Sequence, residues 1–247
     1  MKVIESLDKG LELSEKTKIL IDAIRMRRSI REFTDEKIPD EHIELILDAA
    51  RYAPSPENMQ MWRYVVIRED FELKKWLSDL CQKAAAELFG SAPYELTQAR
   101  LWYIHPKHRP SVFEPMRNGT LFRYPEKADI AIIGLTSESF HDSPFRYPID
   151  ILGSICVGMG VLQMWLVASS LGYGMGYQAL PIMEPRRRQL LCDKLGIPRL
   201  WEPVSTVFIG VPKERRVLGP SRFPLEGVMY KERWGIPYQR IAFKEER

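Results

Sequence analysis

Arg27-Arg28-Ser29-Ile30-Arg31 places three guanidiniums and a hydroxyl within five residues. Guanidinium forks match phosphate oxygens two at a time, and a neighbouring hydroxyl adds a further donor, so the pentad can grip a phosphate monoester. It can equally be a solvated charged turn, the ordinary fate of a short basic run. Its position decides what it reaches. Ser14 can cap a helix, and Ile19, Leu20, Ala23 and Ile24 follow at helical spacing, so a helix over 12–28 delivers the pentad at its end. Phe33-Thr34-Asp35 reads as irregular chain, and a second helix over 40–52 begins at Asp40, a capping residue preceded by Pro39.

Other candidate chemistry is sparser. Gly172-Tyr173-Gly174-Met175-Gly176 resembles a dinucleotide fingerprint in spacing, but that motif follows a strand and opens a helix, whereas this one follows a helical run and opens a strand. Its glycines instead end the helix and let a flat ligand lie against the backbone. His105 and His108 have no neighbouring Cys or carboxylate to complete a metal site, so no metal is expected. Cys156 falls in an apolar run and reads as packing. Arg186-Arg187-Arg188 follows a helix start, where cations oppose the dipole; it reads as a solvated face, with anion binding as the alternative.

The elements that must position these groups follow from pattern. Ala53-Pro54-Ser55-Pro56-Glu57-Asn58 breaks the second helix, because its prolines lack donors and push their predecessors out of helical angles. Tyr64-Val65-Val66-Ile67 reads as a strand, 71–88 as a helix, and 129–135 as a strand buried on both faces. Residues 151–171 carry no charge and would suffice in length to cross a bilayer. Gly153, Ser154, Gly158, Gly160 and Gln163 dilute that run, so it reads as the central helix of an intimate dimer, its small residues admitting another helix, and no membrane is expected. Pro185 suits the first turn of a helix running to about Leu195, and 204–211 is a further strand. Helices outnumber strands in mixed order, which makes the class α+β. Residues 91–125, rich in Pro, aromatic and basic side chains without a clean period, read as a long functional loop. Residues 222–247 read as an extension wrapping a neighbour, and 1–247 as one domain.

Composition bounds the rest. At 247 residues the chain can bury a sizeable core, and 36 basic against 33 acidic side chains give a formal charge of +3, too mild for nucleic acid as a general partner. Three scattered cysteines are no disulfide framework, and the N-terminus lacks the apolar core of a signal peptide, so a cytoplasmic location is expected.

Three signals in one order carry a resemblance: Arg27-Arg28-Ser29-Ile30-Arg31 with Phe33; then Ala53-Pro54-Ser55-Pro56-Glu57-Asn58-Met59-Gln60-Met61-Trp62; then the glycine-rich stretch after the apolar helix. Together they resemble the nitroreductase superfamily of FMN enzymes over most of residues 20–230. The chain looks closest to the branch holding iodotyrosine deiodinase and the flavin-consuming dimethylbenzimidazole synthase, and Arg222-Phe223-Pro224-Leu225 is similar to a late Arg-x-Pro-Leu in both. The resemblance implies a nitroreductase-like fold: a central mixed or antiparallel sheet flanked by helices, with the long buried helix at a homodimer interface and active sites shared between subunits. It implies that Arg27, Arg28, Ser29 and Arg31 hold the FMN phosphate, ribityl chain and pyrimidine edge, and that Arg222 closes over the phosphate. Pro54, Ser55 and Asn58 would reach the isoalloxazine from the second subunit, and Tyr177, Gln178 and Ala179 would line it beside N5.

The departures refine the expected chemistry. Where those relatives place a hydroxyl residue near N5, this chain has Ala179, leaving a backbone amide as the N5 partner and favouring paired-electron, hydride-type transfer. Met61 stands where relatives have Pro before Trp62. The expected activity is ping-pong transfer from NADH or NADPH through FMN to an aromatic or conjugated small-molecule acceptor, such as a nitroaromatic, quinone or enone. The segment 91–125 would form a substrate lid carrying Trp102, Arg117 and Arg123. Alternatives on the same scaffold are a reductive dehalogenase, an oxygen-using flavin dehydrogenase, a flavin-consuming synthase, or a flavin-binding protein without turnover.

Overall fold

The computed structural model describes residues 12–102, 104–137, 149–214 and 222–238, and from it the chain divides into two compact units, Met1–Val217 and Leu218–Arg247. In the first unit, α1 (Glu15–Met26), α2 (Asp40–Ala50), β1 (Trp62–Ile67), α3 (Phe71–Gly90), α4 (Tyr94–Arg100) and α5 (Arg109–Arg117) come before β2 (Ile130–Ser137). They are followed by α6 (Ile149–Ser170), β3 (Gly174–Tyr177), α7 (Pro185–Leu195) and β4 (Trp201–Gly210).

The run Ile130-Ala131-Ile132-Ile133 explains why β2 takes a central place. With large apolar side chains on both faces it must be covered on both, and it is buried along its whole length. It pairs antiparallel with β1 on one side and β4 on the other, and β3 closes the order β1-β2-β4-β3, antiparallel throughout among the described strands. The two-residue alternation of a strand sorts the core. Ile130, Ile132, Val207 and Ile209 face α2 and α6, where they meet Ile46, Val157, Val161 and Met164. Ala131, Ile133 and Phe208 face α3 and α7, where they meet Leu77 and Leu191. The result is a helix–sheet–helix sandwich.

Residues 91–125 are not a loop. They fold as α4 and α5 joined by short 3₁₀ turns, because Leu101, Phe113 and Met116 bury against Ala84, Ala85 and Phe89 on the far half of α3. The central helix is also only half as expected. Gly153 admits the sheet, facing Thr136, and Gly160 admits both the sheet and α2: a Cβ there would lie 2.3 Å from the Tyr64 hydroxyl and 3.1 Å from Ala50 O. On the opposite side Ile151, Leu152, Ile155, Gly158 and Leu162 form an exposed apolar stripe at helical spacing. By length and composition α6 could cross a bilayer; within the chain it packs on the sheet and α2. The apolar face of α1 likewise points outward, with Ile19, Leu20 and Ile24 all more than half exposed.

The second unit is described from 222 to 238. A 3₁₀ turn at Leu225–Gly227 precedes a tight reversal in which Tyr238 N–H donates to Met229 O at 2.9 Å and the Tyr230 and Trp234 rings lie 4.3 Å apart.

Candidate functional site

The pentad leaves α1 at Arg27, whose extended ψ of 128° ends the helix that Ser14 begins by accepting from Thr17 N–H. The chain then crosses the end of the sheet. Ser29 bridges Met175 of β3, and Ile30 N–H donates to Met175 O at 3.0 Å. Phe33 bridges Pro212, Thr34 N–H donates to Val211 O at 2.9 Å, and Lys213 N–H donates to Glu32 O at 3.1 Å. Two glycines make this clasp possible. A Cβ at Gly174 would lie 2.6 Å from Ile30 Cγ2, and one at Gly210 would lie 2.8 Å from the Phe33 ring. The glycines of β3 therefore admit Ile30 and Tyr124, where the sequence suggested a flat ligand.

From the other side α6 fixes the pentad through Trp165. The Arg27 guanidinium stacks 4.5 Å from its ring centroid, and its Nε1–H donates to Arg28 O at 3.3 Å. Arg28 Nη1 turns back to the carbonyl of Arg27 at 2.8 Å and to that of Arg25. Arg27, Arg28 and Ser29 thus leave the end of α1 together, with Arg31 two residues on at Tyr124, residue types suited to a phosphate dianion.

Tyr124 joins this cluster to the end of β3. It is buried, its hydroxyl donates to Tyr177 O at 3.1 Å, and the Arg31 guanidinium donates to that hydroxyl. Burial pushes the phenol up, with Arg31 acting in the opposite sense, so it stays a neutral donor across ordinary pH. Beyond it, Tyr177 is exposed and Gln178 is turned inward. Gln178 N–H donates to Thr206 O at 3.0 Å, its Nε2 donates to Phe122 O at 3.3 Å, and the buried Cys81 thiol faces the same side chain. Gln178 thus holds the strand end in place. Ala179 is half-buried, and its carbonyl accepts from Ile182 N–H and Met183 N–H, which fixes the turn toward α7.

The connection from α2 to β1 is strained. Glu57, Asn58 and Gln60 all have left-handed φ, at 50°, 55° and 50°, a conformation that costs L-residues about 1–2 kcal/mol each. Ser55 Oγ accepts from Gln60 N–H at 3.0 Å, while buried Ala53, Met61 and Trp62 anchor both ends of the loop. Met61, in place of a proline, fills the core beneath. Among the described residues no hydrogen bond joins Pro54, Ser55 or Asn58 to Arg31 or Tyr177 of the same chain.

The remaining sequence candidates are placed differently from one another. Trp102 is exposed, its carbonyl accepting from Arg109. Arg117 braces α3 by donating to Gly90 O at 3.0 Å. Arg123 is saturated by Asp79 and Gln82, each at 2.6 Å, and Glu126 at 2.8 Å. Both arginines thus hold the 91–125 segment against α3. Arg186-Arg187-Arg188 is not simply a solvated face either, since Arg187 pairs with Glu87 and Arg188 with Glu202, while Glu184 caps α7. Arg222 lies in the second unit. A cavity of about 890 Å³ between α3 and α7 shares no lining residue with the pentad. Tyr124 was not singled out by sequence reasoning; its signal would have been a bulky aromatic close in sequence to Pro125, facing the glycines of β3.

Against known proteins, the model of the Nitroreductase family matches residues 24–211. A protein of Archaeoglobus fulgidus whose name reads NADH dehydrogenase/NAD(P)H nitroreductase is 28% identical over 213 residues, covering 85% of this chain and 96% of its own. The FMN reductase [NAD(P)H] of Bacillus subtilis is 27% identical over 220 residues, covering 86% and 73%. A nitroreductase-type structure from Desulfovibrio desulfuricans, solved in complex with FMN, superposes with a TM-score of 0.59 at 24% identity, covering 87% and 97%. A 5,6-dimethylbenzimidazole synthase and iodotyrosine deiodinases are among the further matches.

Proposed function

The chain belongs to the nitroreductase family, and from that membership we propose that it is an FMN-dependent oxidoreductase moving electron pairs from NADH or NADPH to an aromatic or conjugated acceptor. One observation carries the reading: Arg27, Arg28, Ser29 and Arg31 are clasped onto the strand that ends in Tyr177-Gln178-Ala179, with Tyr124 bridging the two. That donor set fits a phosphate monoester attached to a flat ring. The FMN reductase and FMN-bound relatives support the choice of ring.

Bound flavin would supply a reversible two-electron carrier. Arg27, Arg28 and Ser29 would hold its phosphate by charge-assisted hydrogen bonds, and Arg31 would meet its pyrimidine edge. The backbone at Ala179 would orient the ring, since that side chain offers no hydroxyl. Tyr177 would wall one side. Pro54, Ser55 and Asn58 would come from a second copy of the chain, which suits their strained, solvent-facing loop. The exposed stripe of α6 and the outward apolar face of α1 would supply the homodimer surface. Donor and acceptor would take turns in a ping-pong order, with protons supplied by water. Trp102, exposed on the α4–α5 hairpin, would stack on the acceptor.

The test is the absorption spectrum of the purified protein, then anaerobic reduction by NADH and NADPH, then reoxidation by nitroaromatic, quinone and halophenol acceptors. A yellow protein bleached by a nicotinamide and reoxidised by an aromatic acceptor is the expected outcome. A colourless preparation that takes up no added FMN would end this reading.

A further inference from the structure

We propose that the cleft rimmed by Lys127 and Lys213 is a subsite for a phosphate or carboxylate carried by one of the two reactants, separate from the grip of Arg27, Arg28, Ser29 and Arg31 on the cofactor. The proposal rests on the flavin reading above.

Three chain segments build the cleft, which has a volume of about 260 Å³. Buried Phe33 and Tyr124 contribute to its lining. Lys213 is brought to its rim by the bond from its own N–H to Glu32 O, and Lys127 ends the 3₁₀ turn that begins at Tyr124. Whole ligands of drug size fill roughly 300–1,000 Å³, so this cleft suits one charged group and the atoms next to it.

Its charges are unbalanced. Arg123 and Glu126 also line it, but they neutralise each other at 2.8 Å, and Asp79 takes a further Arg123 nitrogen. With Arg31 turned to Tyr124, Glu32 then stands against Lys127 and Lys213, which leaves a positive surplus. Both lysines are exposed and adaptable. An ammonium is a compact point charge on a flexible stem, suited to a group that must leave in each cycle, whereas rigid guanidinium forks suit a resident cofactor. The cleft also shares a wall with the proposed flavin site. Tyr124 donates to Tyr177 O and meets Arg31, so an anion held here sits beside the strand end that would line the ring.

The experiment uses the FMN-loaded protein and the variants Lys127→Ala, Lys213→Ala and the double variant. KM and kcat are measured for NADPH against NADH, and for 4-nitrobenzoate against nitrobenzene, at low and high salt. The double variant is expected to raise KM about five- to tenfold for the more highly charged member of one pair, with less than about a twofold change for its partner and an effect that shrinks in salt. Movement of the NADPH arm assigns the group to the donor; movement of the nitrobenzoate arm assigns it to the acceptor. Unchanged values in both arms, or equal rises for charged and less charged reactants, overturn the subsite. A parallel loss of FMN affinity overturns it too, by giving the cleft to the cofactor. A wild-type chain that binds no FMN is a separate result, and it removes the flavin reading itself.

Discussion

Gly176→Ala adds one methyl where β3 meets the pentad segment. That Cβ would lie 2.6 Å from the Ile30 carbonyl oxygen and 3.0 Å from Tyr124 Cε2. Carbon and carbonyl oxygen ordinarily sit about 3.3–3.6 Å apart, so roughly 0.7 Å must be absorbed. Tyr124 can turn only by straining its bond to Tyr177 O, and the Ile30 backbone can retreat only by weakening its bond to Met175 O. Overpacking of this kind costs about 1–3 kcal/mol. For a domain of this length each kcal/mol shifts Tm by about 2–4 °C, so a fall of roughly 2–12 °C is expected. Because binding groups work within about 0.5 Å of their productive positions, FMN affinity should fall at least about tenfold with it. Thermal unfolding of the apoprotein and a flavin-fluorescence titration measure the two effects. Wild-type values in both would refute the clasp, and a lowered Tm with wild-type FMN affinity would refute the pentad as the cofactor grip.

Three further perturbations test other parts of the structure. Gly158→Asp puts a charge on the exposed stripe of α6, where a Cβ meets nothing within 4 Å, so the chain should fold, elute as a monomer and lose FMN together; a flavin-bound monomer would contradict a shared site. Glu57→Gly relieves a left-handed residue with φ 50° and ψ 23° and should raise stability by about 1 kcal/mol in urea unfolding, while a loss would show that its side chain holds the loop. Asp129 is the acid-side probe. Burial alone would raise its pKa, but Lys37, the Ile38 N–H and Arg68 outweigh that and hold the carboxylate below its usual range. A depressed folded pKa stabilises above the unfolded value, and that contribution is lost as pH falls through the folded one. Asp129→Asn should therefore cost about 1.5–3 kcal/mol near neutrality and flatten the acid limb of a stability–pH curve; parallel limbs would refute the assignment.

What could be read beforehand was whatever rested on local chemistry. Ser14 caps α1, Pro185 opens α7, and the buried run of β2 lies within a residue or two of its expected place, because each is fixed by its own side chains. The α4 and α5 helices escaped because they span only seven and nine residues, with Pro115 inside the second, too short for a period to declare itself. The extended start of β4 was missed because Pro203 masked a strand that runs on from Trp201. Pattern marks the outer stripe of α6 as apolar, but only the packed structure shows which side of the helix meets the sheet. The same limit hid the cleft at Arg31, since Lys127 and Lys213 lie far apart in the chain and meet only through the turn at Tyr124 and the clasp at Glu32. Arg117 and Arg123 show a related limit: a cation in an aromatic-rich stretch says nothing of its partner until α3 is placed beside it.

The backing of the basic pentad has a consequence for biosynthesis. Its supports are Met175 and the residues from Val211 to Lys213, and Thr34 Oγ1 reaches a partner 177 positions away at 3.5 Å. Ribosomes add about 5–20 residues each second, so the arginines wait many seconds outside the exit tunnel before anything can hold them in order. Long-range closure of this sort is slow as well as late. Ordering of the pentad is therefore an event of a chain already extended past β4, and fragments truncated before β4 would carry the cationic residues without a platform on which to array them.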